Sequence, residues 1–446
     1  GYAIVHHHAK FVILGGGLAG LAAAMEFQRL GVDDFVIIEG ADECGGIART
    51  SHDAGWEIDL LPHVFFPARE DIKQLYRELV PDSHETLADL GVFLDGNYLP
   101  YPFQLNIHAL PHDKRVECLA SYFTALEQSC RTATNTNNFE SFLNSRFGTA
   151  IVDTFFRPYN EKLWQTSLGT LSTDWVHHKI DSVDHIDMAH SFLGPRELGE
   201  RPFGAHARFL YPDVGGIQRL PDAMAARVGP EHIQLNTRVL SVNGKRKEVH
   251  TDKGVFGYQR AVWTLPANRA GSVLGVAFGS AQALSHNIVT SVHLVVSEVI
   301  APKTHWLYVT DSSLSPYRIT RMDLLSHRDY GGNIPLIVEV SHPSQSPPPE
   351  PRAVIAKVVE DLVTMRFLSS PEVVKERASH RFSPAYVIHD RARPRRIRQV
   401  HDAMRRRGVI PAGRFGEWHF FNMDHSIDSG QRAAREAVDS TSRGQR

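Results

Sequence analysis

The sequence is poor in cysteine, has no long apolar run and carries almost no net charge. Its three cysteines, Cys44, Cys118 and Cys130, are odd in number and lack the spacing of a metal site. This usage favours a reducing compartment and excludes a fold built on disulfides. No apolar run reaches the roughly 18 residues that a transmembrane helix needs, so the sequence predicts no membrane span.

The net charge of -2 at pH 7 creates no overall field that would draw the chain to nucleic acid or to a membrane. Any anionic ligand must therefore be bound by local cations. We expect a cytoplasmic protein whose partner is a small molecule, with neither nucleic acid nor membrane as a partner. With 446 residues, of which 42% are hydrophobic, the chain is long enough for two or three domains.

Two clusters of basic or metal-binding side chains have an ordinary interpretation. The start of the chain, GYAIVHHHAK, lacks the shape of a signal peptide. Its three histidines suggest a metal patch or part of a tag, and a disordered end is the preferred interpretation. Residues 391–408 contain eight arginines. Because no aromatic residues interleave them, a solvated helix face is favoured over a nucleic-acid patch.

The most informative stretch lies between residues 11 and 49. An apolar run meets a glycine turn, Gly15, Gly17 and Gly20; an alanine-rich helical stretch and a second apolar run follow, and the latter ends on Glu39. Strand, turn, helix, strand and acid are the pattern of a dinucleotide fold. The glycines let the backbone approach a pyrophosphate at the helix N-terminus, and the acid accepts the ribose hydroxyls.

A second glycine pair distinguishes between cofactors. Gly45 and Gly46 are followed by Arg49. A nicotinamide dinucleotide does not need this turn, whereas FAD enzymes typically place it under the pyrophosphate and the flavin. The sequence therefore predicts an α/β fold with a Rossmann-like FAD-binding domain.

Later segments interrupt this domain. A mostly helical stretch comes first, strands then return, a second set of alternating strands follows, and a glycine-rich GRFGEW near the end leads back to the FAD fold. We expect a discontinuous FAD-binding domain at 9–95, 205–285 and 408–440. The inserts are a mainly helical domain at 96–204 and an antiparallel β-sheet domain with a helix, the substrate domain, at 286–407.

Four segments go beyond a generic flavoprotein. They are GWEIDLLPHVFF at 55–66, YLPYPFQLN at 98–106, FRPYNEKLW at 156–164, and GRFGEW at 413–418 with NMDHS at 422–426. Together they resemble the UDP-galactopyranose mutase family, most closely its eukaryotic type, within the amine-oxidase-like FAD flavoproteins. The resemblance covers about residues 10–440.

The resemblance implies a set of substrate-binding residues. Tyr101 and Phe103 would clasp the uracil with Gln104 beside them, since flat apolar rings suit a planar base. Asn160 and Trp164 match positions that line the sugar pocket. The remaining substrate contacts are Tyr308, Tyr386 and Asn422, with both tyrosines on the diphosphate.

The resemblance also implies cofactor and catalytic residues. Arg414, Asp424 and His425 would join the glycine motifs in binding FAD, and His63 would sit beside the isoalloxazine. Arg318 would hold the diphosphate, because a planar guanidinium donates two hydrogen bonds at once.

The chain departs from the family pattern at three places. Lys179 stands where the family usually has an arginine, and it keeps the charge but loses the fork. Phe420 replaces a tyrosine of the diphosphate site and lacks its hydroxyl. Leu61 and Pro62 precede His63 where the family has two glycines, and proline fixes φ and removes an N–H, which predicts a stiffer loop.

The resemblance implies a mutase that interconverts pyranose and furanose rings of a nucleotide sugar. Reduced flavin N5 would attack the anomeric carbon and expel the nucleoside diphosphate, with catalysis by His63, Arg318 and Lys179; the ring then opens and recloses. Such an enzyme needs an electron donor, NADPH or NADH. The alternatives are an FAD-dependent oxidase or dehydrogenase, which the altered loop favours, and a non-catalytic flavin-binding protein.

Overall fold

The computed structural model of the chain describes residues 4–66, 69–133, 137–176, 179–197, 199, 207–279 and 284–443. Its strands are β1 His6–His8, β2 Phe11–Leu14, β3 Phe35–Ile38, β4 Thr50–Ser51, β5 Ile58–Asp59, β6 Ser83–Leu87, β7 Leu90–Leu94, β8 Asn97–Pro100, β9 Arg208–Pro212, β10 Ile233–Gln234, β11 Val239–Asn243, β12 Glu248–Thr251, β13 Gly254–Gly257, β14 Arg260–Trp263, β15 Asn287–Val296, β16 Trp306–Val309, β17 Arg318–Arg321, β18 Ile334–Pro343, β19 Val374–Phe382 and β20 Val409–Pro411. Its helices are α1 Leu18–Arg29, α2 Glu70–Leu79, α3 His112–Arg131, α4 Phe139–Phe147, α5 Thr149–Ile151, α6 Arg157–Trp164, α7 His185–Leu193, α8 Arg219–Val228, α9 Ala270–Leu274, α10 Met322–Leu325, α11 Pro351–Thr364, α12 Arg393–Arg405, α13 Gly413–Gly416 and α14 Met423–Arg443.

A parallel sheet of order β10-β3-β2-β14-β20 forms the dinucleotide-binding layer. Strand β2 is buried along its whole length, as expected for a parallel strand covered on both faces. Helix α1 packs against α8 and α14 on this layer. The predicted α/β fold with a Rossmann-like unit is confirmed. The carboxyl ends of β2, β3 and β14 meet at one edge, where ligands bind in such sheets.

A mixed sheet of order β19-β15-β18-β17-β16-β7-β8 forms the second layer. Helix α11 packs against its strands β15 and β19. The sheet draws β7 and β8 from the first hundred residues, because the fully buried β7 pairs in parallel with β16. The predicted boundary at residue 95 therefore falls between two paired strands, since Leu94 lies opposite Asn97.

The helical part agrees with the sequence pattern. Helices α3 and α4 lie on either side of the predicted polar break, and α5, a π-helical turn at Val152–Phe156 and α6 continue as one helix. Their apolar faces form one buried cluster with β7, β8 and part of β15. The predicted boundary between 204 and 205 lies outside the described residues.

The interpretation of the N-terminal end is wrong. Residues His6–His8 form β1, which pairs in parallel with β13 at the edge of a four-stranded sheet, and the ring of His7 stacks on Phe256 at 4.8 Å. A backbone ladder and one ring contact hold this segment without burying its side chains.

The arginine block forms α12 and is mostly solvated, as predicted. Arg395, Arg398 and Arg406 are exposed, and Arg405 pairs with Glu436. Arg393 is the exception, because it is buried and its Nε donates to the carbonyl of Trp418 at 2.6 Å. Within the described residues no helix is long and apolar enough to cross a membrane.

Candidate active site

A cavity of about 410 Å³ joins the parallel sheet to the mixed sheet. One end is lined by Gly15, Gly17 and Glu39, which follow the carboxyl ends of β2 and β3. The other end reaches Tyr308 and Arg318 on β16 and β17. The cavity therefore connects a dinucleotide-binding edge to a wall of cationic and aromatic side chains.

The glycine end has the shape that an FAD pyrophosphate requires. Gly15 adopts a φ of +105°, and a Cβ on Gly20 would lie 1.9 Å from the Gly15 carbonyl oxygen, so neither position accepts a larger residue. Gly17 caps α1, whose first turn carries no acidic side chain to compete with an anion. The residues present therefore fit a bound dinucleotide.

A second glycine turn packs directly against the first, because the Gly45 N–H donates to the Gly16 carbonyl at 2.9 Å. Gly46 lines the cavity with Gly45, and a Cβ built on Gly17 would lie 3.8 Å from its Cα. Arg49 does not line the cavity but holds this turn, because its Nε donates to the Gly46 carbonyl at 2.8 Å.

The N-terminus of α14 also contributes to the cavity wall. Asn422 lines the cavity, whereas Asp424 and His425 lie behind that wall. Asp424 is buried, and its Oδ1 accepts no hydrogen bond from the described residues. This Oδ1 lies 3.5 Å from Nδ1 of His425, so the two side chains support the wall from behind and do not line it.

Arg318 is held by a buried carboxylate. Its Nη2 donates to Oε1 of Glu339 at 2.8 Å and to the hydroxyl of Tyr386 at 3.3 Å, and its Nε contacts the other carboxylate oxygen. Glu339 is 0% exposed and lies opposite Arg318 on the neighbouring strand. Burial lowers the pKa of Arg318, but Glu339 and the nearby tyrosines outweigh it and hold that pKa well above the usual value.

Arg414 adds a second guanidinium, which is half-buried like that of Arg318. Its Cζ lies 4.6 Å from the centroid of the Tyr386 ring, and its Nη2 donates to the Ala385 carbonyl at 2.9 Å. Its buried Nε has no hydrogen-bond partner among the described residues. Burial lowers the pKa of Arg414, with a smaller contribution from the charge of Arg318. Tyr386 thus lies between two guanidinium groups.

Lys179 lines the cavity beside these arginines. Its Nζ donates to Oδ1 of Asn422 at 2.6 Å and lies 4.4 Å from the centroid of the Phe420 ring. Burial, followed by repulsion from Arg414, lowers the pKa of Lys179 to about 7. The amine therefore changes charge near neutral pH, which an arginine at this position would not do.

His63 forms the cavity wall after Leu61 and Pro62. Its Nδ1 lies 2.8 Å from the Leu61 carbonyl oxygen, so Nδ1 carries the hydrogen and donates it. Burial, together with repulsion from Arg414 and Arg318, lowers the pKa of His63 to about 4. The imidazole is therefore neutral and has an unprotonated Nε2.

Aromatic rings cover a further part of the cavity wall. The rings of Tyr101 and Tyr308 lie 4.8 Å apart, and the indole N–H of Trp306 donates to the Tyr308 hydroxyl at 3.1 Å. All three line the cavity. Burial raises the pKa of Tyr308, which keeps its hydroxyl protonated as a donor.

Four predicted substrate residues do not reach the cavity. Phe103 and Trp164 are buried in the helical core. Gln104 donates to the Asp181 carbonyl at 2.9 Å, and Asn160 donates to the Phe156 carbonyl at 2.8 Å and accepts from Trp164 at 3.2 Å. Trp164 still contacts the back of the wall, because its ring meets those of Tyr386 and Phe420 edge-on.

Sequence reasoning missed several wall residues. The additional polar and aromatic ones are Phe66, Thr264, Trp306, Phe415, Phe421 and Ser426. Thr264 could have been predicted from the sequence, since it directly follows β14 at the carboxyl edge of the parallel sheet. Glu339 carried no signal, because only the pairing of β17 with β18 places it opposite Arg318.

Several solved structures share this architecture, and two of them illustrate the likeness. The structure of reduced UDP-galactopyranose mutase is similar over 97% of this chain and 94% of its own, with 26% sequence identity and a TM-score of 0.88. Cyclohexylamine oxidase from Brevibacterium oxydans IH-35A covers 97% of this chain and 99% of its own, with 15% identity and a TM-score of 0.67, which is a likeness of fold alone.

Comparison of sequences gives a match to a curated protein over a short segment and a match to a family over most of the chain. The Baeyer-Villiger monooxygenase peniC of Penicillium patulum is 40% identical over 63 residues, so the chain spans 10% of that protein's length. The sequence model of the flavin containing amine oxidoreductases matches residues 18–438, nearly the whole chain. That match and the likeness to the mutase support a flavin enzyme with FAD as its cofactor. The chain belongs to the flavin containing amine oxidoreductase family.

Proposed function

We propose that the protein is an FAD-dependent mutase that interconverts the pyranose and furanose forms of a nucleotide-linked sugar. One observation carries the proposal: Arg318, Lys179, Tyr308 and Tyr386 line the same cavity as the FAD-binding glycines. An amine substrate has no use for this group of cations and hydroxyls, whereas a diphosphate needs it. The likeness to reduced UDP-galactopyranose mutase supports the same function.

Bound FAD, in its reduced form, supplies the nucleophile, its N5, for the anomeric carbon of the sugar. The protein must then stabilise the diphosphate as its bond to that carbon breaks. Arg318 shares its charge with Glu339, so Arg414 and protonated Lys179 supply the excess positive charge of the cavity. Tyr308 and Tyr386 add hydroxyl donors. Preorganised donors of this kind stabilise charge at the moment when it develops.

His63 serves the flavin side of the cavity. Because Nδ1 donates to the Leu61 carbonyl, the neutral ring presents Nε2 as an acceptor. It accepts a proton or a hydrogen bond from a sugar hydroxyl during ring opening and closure. Tyr101, which also lines the cavity, packs against the nucleoside part. NADPH or NADH is the proposed reductant of the flavin.

The deciding experiment compares the oxidised and the dithionite-reduced protein. Each form is titrated with a panel of nucleotide sugars while the flavin spectrum is recorded, and the products are separated by anion-exchange chromatography. We expect binding by both forms and turnover by the reduced form alone, without net redox change. Stoichiometric bleaching of the oxidised flavin by a substrate would overturn the proposal.

An oxidase or dehydrogenase is the second candidate. The observation that favours it is the segment before His63. Leu61 and Pro62 make the backbone of this wall stiffer than two glycines would. Oxygen consumption with an amine or an alcohol, and none with nucleotide sugars, would identify this function.

A further inference from the structure

We propose that Asp53, His293 and His380 form a binding site for one divalent transition-metal ion of the zinc type. The cluster lies outside the cavity and comes from three separate segments of the chain. Asp53 follows β4, His293 lies in the middle of β15 and His380 lies near the end of β19. The proposal is independent of the flavin reaction.

Strand register brings the two histidines together. Strands β15 and β19 are antiparallel, with Ser291 opposite His380. His293 lies two residues further along β15, on the same face of the sheet, so it is a diagonal neighbour of His380. The two rings lie 5.0 Å apart between centroids.

The ligating atoms are already close. One nitrogen of each histidine and one oxygen of Asp53 lie within 4.8 Å of one another, and Nε2 of His380 is 2.8 Å from Oδ2 of Asp53. Ligands bound to a tetrahedral Zn²⁺ at ~2.0 Å lie ~3.3 Å apart. His293 is fixed in the core with 3% exposure, whereas the side chains of Asp53 and His380 are 51% and 29% exposed and can rotate. Their rotation brings the three ligating atoms to this distance.

The electrostatic setting favours a cation. Nδ1 of His293 is buried and has no hydrogen-bond partner among the described residues, which is costly for a polar atom unless a ligand satisfies it. Among the described residues, Asp53 forms a salt bridge with His380 alone. No lysine or arginine in that part of the chain therefore neutralises its carboxylate. Two imidazoles and one carboxylate are donors that Zn²⁺ and Co²⁺ accept, and the exposed side leaves room for water as a further ligand.

The site lies directly behind the flavin-side wall. The Leu60 carbonyl accepts from Oγ of Ser291 at 2.6 Å and lies 3.4 Å from Nε2 of His293. His63, which lines the cavity, follows three residues later. A bound ion therefore joins the FAD-side segment that contains Asp53 to the mixed sheet and fixes the start of the Leu61-Pro62-His63 wall.

The test uses the FAD-loaded full chain with Co²⁺ as a spectroscopic probe and Zn²⁺ as the competitor. His6, His7 and His8 are replaced by alanine in the background protein, because this exposed triplet would bind metal by itself. We expect one Co²⁺ site with visible absorption, displaced by Zn²⁺. His380→Ala and Asp53→Asn should each weaken binding at least ~10-fold, the lower range seen when even an outer-shell partner of a metal ligand is lost.

A matched control is available in the second histidine cluster, His84, Asp213 and His327. His327→Ala should leave the Co²⁺ affinity unchanged. In the background protein, Zn²⁺ at 100 times its Kd should raise the ratio of folded to unfolded protein ~100-fold, whereas the same Zn²⁺ concentration should not do so in His380→Ala. Flavin content and the metal-free melting temperature show that each variant is folded. No Co²⁺ absorption in the background protein, an unchanged affinity in His380→Ala, or loss of the site in His327→Ala would each overturn the proposal.

Discussion

Replacement of Arg318 by alanine gives the sharpest test of the diphosphate site. The guanidinium lines the cavity, and Glu339 and Tyr386 fix its position. Loss of one preorganised donor typically costs ~3–4 kcal/mol in the transition state. We therefore expect Arg318→Ala to lower the turnover of nucleotide sugar by at least ~100-fold with FAD still bound.

The substitution has a second effect that must be separated from the first. Glu339 is 0% exposed, and without Arg318 it becomes an unpaired buried charge, which costs ~3–5 kcal/mol of stability. Glu339 also accepts from the Tyr317 hydroxyl at 2.8 Å. The double variant Arg318→Ala/Glu339→Gln removes the charge and keeps a carbonyl oxygen that can accept this hydrogen bond. Its melting temperature should recover most of the loss, whereas its turnover should stay low.

The assay measures steady-state turnover of the prereduced protein, with flavin absorbance as the measure of FAD content and thermal unfolding as the measure of stability. Arg318→Lys is the matched control, because it keeps the charge and loses the fork. If the folded, FAD-loaded double variant turned over nucleotide sugars at nearly the original rate, Arg318 would have no part in the reaction.

Three further predictions concern the rest of the cavity. Because the pKa of Lys179 is about 7, its charge is lost as pH rises, and kcat/KM should fall through about pH 7. Lys179→Arg should extend activity to higher pH, and identical pH profiles of kcat/KM for the two proteins would contradict this. Gly20→Ala places a Cβ 1.9 Å from the Gly15 carbonyl oxygen, so the purified variant should contain little FAD, and a normal flavin-to-protein absorbance ratio would refute the close contact. His389 accepts at Nε2 from the backbone N–H of Phe420 at 3.0 Å, so His389→Ala should lower the free energy of unfolding by ~1–3 kcal/mol, as measured by urea denaturation, and an unchanged midpoint would show that this bond is dispensable.

Local patterns made the cofactor half of the molecule predictable. The strand, glycine turn and helix between residues 11 and 29 are consecutive in the chain, so periodicity and turn chemistry suffice to place Gly15 and Gly17 at the sheet edge. Glu39 follows from the same unit. The role of Arg49 in binding the cofactor stays a prediction, and its contact with the Gly46 carbonyl depends on a rotamer that no sequence pattern encodes.

The substrate half depends on contacts between distant residues. Tyr308 and Arg318 line the cavity, and their contact with a diphosphate stays a prediction, whereas Phe103 and Trp164 are buried in the helical core. A motif identifies positions on a helix or turn, but the packing partners decide which side faces the ligand. The roles of Phe103, Gln104, Asn160 and Trp164 stay predictions.

The mixed sheet is assembled from two widely separated parts of the chain. Strands β7 and β8 are synthesised long before β16, their neighbour in the sheet. Their apolar residues therefore stay exposed during synthesis until β16 has left the ribosome, which makes the nascent chain prone to aggregation. For the same reason, a fragment that begins after the helical insert would expose β16 as an unpaired hydrophobic edge strand. Any exchange of the substrate domain between relatives must therefore include residues 90–100, which form β7 and β8.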